Sequence, residues 1–273
     1  MKIHINYITS RYPVWMSKSI PELPNWRAYQ GCIVVVLLIF LYLKPIGKSG
    51  EEDKYVSFVT CPIIRDSKTF PCWLVAHEGK TYYLGQQGRS GSLFYPPQLK
   101  HQVLVEGYVK EGSLLCGGIV LDPVVISVLP ELDLSCNTLL PAQDGLEPPP
   151  PIPYPENKLL ADDTRSFTIY FDFDSDFLSL HKTRIVSEAV RIAKLNQLKS
   201  VEINTFRATT LLSDGGKLVE KANIAELRAE KLRDIFEGLG FEESKIRVIV
   251  TNKASKGKGE NDWQMRKAVI RLY

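Results

Sequence analysis

Three aspartates, Asp172, Asp174 and Asp176, alternate along a phenylalanine-rich segment, and side chains two apart on a strand share one face. Such a trio has the chemistry to hold a divalent cation or to divide acid and base work between carboxyls. Carboxylates that cap a strand end or face water give the same pattern, and that reading is the stronger. Gln86, Gln87, Gly88, Arg89, Ser90 and Gly91 are glycine-rich without the spacing of a phosphate loop, which predicts a hairpin tip. His4 and His101 lack nucleophile or acid partners, His181 falls at a helix start, and His77 and His101 lack ligand spacing. No pair of cysteines is separated by two residues. No catalytic residue, metal or cofactor is therefore expected, and the chain does not read as an enzyme.

The cysteines carry the clearest chemistry. Cys61, Cys72, Cys116 and Cys136 fall in one stretch, the last third of the chain has none, and Cys32 lies in an apolar run. Four cysteines in a small region predict two disulfides and an oxidising compartment. Three pairings are open; chain order, Cys61 with Cys72 and Cys116 with Cys136, is the expected one.

That compartment needs an export signal. Residues 31–43 are apolar and uncharged, and the uncharged stretch extends from Arg27 to Lys44. Lys2, Arg11, Lys18 and Arg27 precede it, while Glu51, Glu52 and Asp53 follow. The excess of cations places the N-terminus in the cytoplasm. Pro45 follows and no small-x-small cleavage site does, so 28–46 is expected to be an uncleaved transmembrane signal anchor. Cleavage near Ser49 and a start at Met16 remain open. Residues 1–27 would be cytoplasmic and the remainder periplasmic, making an inner-membrane, single-pass protein. The chain has 273 residues and a net charge of +3, with no basic stripe interleaved with aromatics, which argues against a nucleic-acid partner.

Beyond the anchor, residues 50–140 read as a disulfide-containing all-β domain, a small sandwich or an OB-like barrel. Strands are expected at 55–59, 73–75, 81–84, 103–109, 119–121 and 124–128, with Gly107 as a bulge and Asp122-Pro123 separating the last two. Residues 141–160 are a linker, proline-rich and extended. In 161–273 the period changes. A strand at 167–173, a helix capped by Ser179, a strand at 201–206, a helix at 220–238 ended by Gly238 or Gly240, and strands at 246–250 and 268–272 describe helices packed on a sheet. In the second helix Ile224, Leu227, Leu232, Ile235 and Phe236 should face inward. The overall class is α+β. Residues 253–260 read as a charged, solvated loop.

The ordered set Phe171-Asp172-Phe173-Asp174-Ser175, the strand at Val201, Ile224-Ala225-Glu226-Leu227-Arg228-Ala229 and Arg266-Lys267-Ala268-Val269-Ile270 resembles the OmpA-like C-terminal domain family over about 165–273. The resemblance implies a βαβαββ sandwich, an envelope protein of a Gram-negative bacterium and non-covalent binding of the peptidoglycan stem peptide. In that family an aspartate takes the diaminopimelate ammonium and a helix arginine takes its carboxylate. Arg228 matches the arginine. Arg207 stands at the aspartate position, Lys221 stands where the helix asparagine belongs, and Asn223 is two residues out of register. Asp214, beside Gly215-Gly216, is a candidate replacement carboxylate. If it does not serve, Arg207, Lys221 and Arg228 would form a cationic pocket. The alternative is a periplasmic scaffold or interaction module, contacting other envelope proteins, whose fold has lost wall binding.

Overall fold

Residues 54–68, 70–86, 95–146, 160–161 and 163–273 are described by a computed structural model. The expected anchor and most of the proline linker lie outside the described residues, and among those described no helix is long and apolar enough to cross a membrane.

The N-terminal half is one seven-stranded sheet: β1 (Tyr55–Thr60), β2 (Pro62–Arg65), β3 (Cys72–His77), β4 (Lys80–Gln86), β5 (His101–Leu115), β6 (Gly118–Leu132) and β7 (Thr138–Leu140). Their order is β1-β5-β6-β4-β3-β2-β7, an open path with β1 and β7 at its edges, which departs from a five-stranded OB-type barrel. The sheet folds over a core of Val56, Phe58, Trp73, Val75, Tyr82, Leu84, Val103 and Val105. The expected β3–β4 hairpin forms, with Glu78 and Gly79 both at positive φ, as a two-residue turn matched to strand twist requires.

Gly107 is the expected bulge. A side chain there would come within 2.8 Å of the Pro123 carbonyl, and the β5–β6 register shifts between Gly107 and Val109. The same irregularity explains a missed element. Asp122-Pro123 does not break the chain into two strands; β6 runs straight through it. Pro123 falls at the register shift, where its missing N–H removes no ladder bond.

The disulfides are Cys61–Cys136 and Cys72–Cys116, which corrects the chain-order pairing. Sheet topology decides this. β2 lies parallel to β7, so Cys61 just before β2 meets Cys136 just before β7. Cys72 opens β3 and reaches Cys116 in the β5–β6 turn.

The C-terminal half holds β8 (Ser166–Tyr170), α1 (Leu180–Leu195), β9 (Val201–Leu211), β10 (Lys217–Val219), α2 (Ile224–Gly238), β11 (Ile246–Ser255) and β12 (Lys267–Leu272). The order has one strand more than the expected βαβαββ, because β9 overshoots its predicted end and turns back as β10. β9 is central, with β12 antiparallel on one side and β11 parallel on the other, and β8 lies outside β12. Ser179 caps α1 by accepting from the Lys182 amide, as predicted. Gly240, at φ +96°, follows the end of α2. Both helices pack on one face of the sheet, burying Val186, Ile192, Leu232 and Phe236 against Phe167, Ile169, Ile203 and Ile270. Leu227, expected inward, is 37% exposed.

Each half thus has its own apolar core, and the seam between them is polar. Ser57 and Glu106 pair across β1–β5 and project from the face opposite Val56 and Val105. There the Arg266 Nη2 donates to Glu106 Oε2 at 2.5 Å, with both side chains fully buried. The Phe173 amide donates to Ser127 Oγ at 2.8 Å, and the Ser57 amide donates to Ser213 Oγ at 2.8 Å. Tyr108 donates to Glu260 and accepts from the Asn261 side-chain amide.

Candidate functional site

Arg228 projects from the first turns of α2 toward the loop that follows β8. The guanidinium packs over the Phe171 ring, 4.8 Å from its centroid, and is fully buried. Every one of its five N–H donors has an acceptor in the chain. Nε donates to Ser175 O at 2.9 Å. Nη1 donates to Phe206 O at 2.9 Å and to Glu220 Oε2 at 3.2 Å. Nη2 donates to Asp172 O at 3.2 Å and to Glu220 Oε1 at 2.5 Å.

Glu220 completes the site and lies outside every motif in the sequence. Its side chain is fully buried, and besides the two guanidinium bonds it accepts from the Asp174 amide at 3.1 Å and the Ala208 amide at 2.8 Å. Two carboxylate oxygens thus receive four donors, which fills their acceptor capacity. The single sequence signal was its place as the one carboxylate between Asp214 and Glu226.

The other candidates divide into those gathered around this pair and those left away from it. Arg207 does come near, yet its Nε donates to the Glu220 backbone carbonyl at 2.6 Å and its Nη1 to Asn252 O at 3.4 Å. Lys221 is half exposed. Its amide donates to Asp174 Oδ1 at 2.5 Å, and its ammonium lies 4.0 Å from Asp174 Oδ2. Asn223 occupies the N-cap position of α2 without a side-chain capping bond. Asp214 is exposed at the β9–β10 tip and accepts from the Gly216 amide at 2.7 Å. The neighbouring Ser213 is bonded to Ser57 of the first sheet, so the tip is committed to the seam and does not turn back to Arg228. The cationic pocket does not form either, because Glu220 lies among Arg207, Lys221 and Arg228.

The three aspartates each face a lysine or the site loop. Asp172 pairs with Lys182 at 3.1 Å and Asp176 with Lys231 at 3.6 Å. Asp174 adopts φ +54°, and burial pushes its carboxyl above the usual range. They do not converge as a ligand set. Cys61, Asp133 and Cys136 place ligand atoms within 4.8 Å of one another. However, the two sulfurs are bonded together, and Asp133 accepts from Ser135 and Gln102. A small depression lined by Arg65, Lys68, Asp144 and Leu146 lies in the N-terminal half.

No protein-family model and no curated protein matches the chain. Solved structures do resemble part of it. They include the OmpA-like domain of FopA1 from Francisella tularensis subsp. tularensis SCHU S4, at 15% identity and TM-score 0.30, over 40% of this chain and 73% of that one. A putative MotB-like protein from Desulfovibrio vulgaris aligns at 14% identity and TM-score 0.31, over 39% and 73%. The peptidoglycan-associated lipoprotein from Burkholderia pseudomallei aligns at 21% identity and TM-score 0.31, over 40% and 91%.

Proposed function

We propose that this chain is a non-enzymatic envelope protein whose OmpA-like C-terminal domain serves as a periplasmic scaffold or interaction module and does not hold diaminopimelate at Arg228. The observation that carries this reading is the saturation of Arg228. A ligand carboxylate would have to displace two charge-assisted bonds and leave Glu220 buried without its cation, which costs about 3–5 kcal/mol for a buried pair. The missing aspartate adds to the argument, since Arg207 offers nothing to an ammonium. Export and an inner-membrane anchor are supported by the apolar run at 31–43, its cationic flank and the two disulfides.

Sedimentation of the full chain, in mild detergent, with purified peptidoglycan sacculi tests the proposal. The wild type should stay in the supernatant, with or without meso-diaminopimelate. Saturable sedimentation that free diaminopimelate competes away would restore wall binding and sink the scaffold reading.

A further inference from the structure

Both helices of the C-terminal half pack on one face of its sheet, through Phe167, Ile169, Ile203, Ala268 and Ile270. The alternate residues form the opposite face, and strand register arranges them in three rows across β8, β12, β9 and β11. The distal row is Ser166, Arg271, Glu202 and Arg247. The middle row is Thr168, Val269, Asn204 and Ile249. The row nearest the seam is Tyr170, Lys267, Phe206 and Thr251, and Trp263 meets Tyr170 edge-on at 5.1 Å. All these side chains are exposed or half-buried.

We infer that this open sheet face is a docking surface for an acidic, apolar-faced helix of a partner protein. Charge complementarity argues for it. The face carries three cations, Arg247, Arg271 and Lys267, against one carboxylate, Glu202. The two arginines share that carboxylate, at 3.4 and 3.1 Å through one nitrogen each. Their side chains are 74% and 48% exposed. Each guanidinium therefore keeps donors for a second carboxylate, the group its planar fork suits best. Lys267 lies 5.9 Å from the Phe206 ring centroid, at the apolar end. Between these ends, Val269 and Ile249 offer apolar contact and Asn204 and Thr168 offer hydrogen bonds. Four strands span about 14 Å, enough for one helix of about 10–12 Å diameter. A second copy of this chain is disfavoured, because two such faces would oppose cation to cation.

The inference rests on the interaction-module reading and names its surface. The probe is a fluorescein-labelled amphipathic peptide of leucine and glutamate, titrated against the full chain in mild detergent. A glutamine counterpart and phosphatidylglycerol vesicles serve as comparisons. The wild type should bind the glutamate peptide, more weakly as salt rises, and should not bind the glutamine peptide. Replacing both exposed arginines, Arg247→Gln with Arg271→Gln, should weaken binding at least ~10-fold. Arg233→Gln, on the surface of α2 beside Glu237, should leave it unchanged. Circular dichroism confirms that each variant is folded. Equal binding of both peptides, wild-type affinity in the double variant, or vesicle binding without peptide binding would each overturn the inference. A negative result here leaves the sacculus experiment intact, so the two failures are distinguishable.

Discussion

Two arginines in the C-terminal half are fully buried, and each places Nη2 2.5 Å from a glutamate oxygen. Each also lies near a phenylalanine ring, Arg228 by Phe171 and Arg266 by Phe173. Their settings differ. Arg228 and Glu220 are eight residues apart, and their donors and acceptors are matched one for one. Arg266 and Glu106 are 160 residues apart and join the two halves. Arg266 also donates to Thr210 Oγ1 at 2.8 Å and to Phe171 O at 3.4 Å, while Glu106 Oε1 is buried without a hydrogen-bond partner among the described residues. Burial pushes the Glu106 carboxyl above its usual range even with Arg266 beside it. A saturated pair within one core thus stands against an incompletely satisfied pair across a seam. The first has the character of framework, and the second that of a junction.

The largest effect should come from Arg228→Met. The substitution leaves Glu220 buried without its cation and removes the tie between α2, the loop after β8 and β9. A loss of about 3–5 kcal/mol is expected in urea denaturation at neutral pH. A loss below about 1 kcal/mol would place this pair with surface ion pairs and end its role as framework.

Arg266→Met should cost less, about 2 kcal/mol, because burial already raises the Glu106 carboxyl and the group can take a proton once its cation is gone. The sign of the pH dependence follows. A carboxyl raised above 4.5 in the folded chain binds its proton more tightly than the unfolded chain does. Ionised Glu106 therefore lowers stability at neutral pH, and this cost fades as pH falls through its folded pKa toward 4.5. Without Arg266 the cost grows, so the deficit of the variant should shrink between neutral pH and a pH near 4.5. Urea midpoints at the two pH values measure it; a deficit constant in pH would show that Glu106 stays charged. Glu106→Met combined with Arg266→Met should recover most of the loss.

These contrasts also mark how far the sequence could be read. Helix caps and turns are local chemistry, and Ser179, Gly240 and the Glu78-Gly79 hairpin all form where their residue types place them. Apolar period located both helices, although Leu227 faces outward because α2 turns toward the sheet the stripe containing Ile224, Arg228 and Leu232. Partners distant in sequence leave no such local signal. Cys61 meets Cys136 across 75 residues, and Glu106 meets Arg266 across 160. Nor does a motif show where one residue changes the meaning of another. Arg228 matched a ligand-binding position, but Glu220, with no family position to mark it, occupies the guanidinium from within. Motif spacing reports which side chain points inward, and not what is already there to receive it.

Two hydroxyl acceptors in the seam, Ser127 and Ser213, refine the contrast at its small end. Ser127→Ala leaves the Phe173 amide, a buried donor, without its acceptor, and a buried unmade bond costs about 1–3 kcal/mol. A loss near about 1 kcal/mol is expected, since Arg266 keeps the halves together. Ser213→Ala removes an equally short bond from the Ser57 amide, but Ser213 is exposed and water can replace its hydroxyl. Its cost should stay within about 0.5 kcal/mol. Hydrogen exchange at the Phe173 and Ser57 amides separates the two directly. Faster exchange at Phe173 alone in Ser127→Ala means that the junction loosens locally. Faster exchange at both amides in either variant means that the seam opens as one unit, and the distinction between its buried and part-buried bonds then disappears.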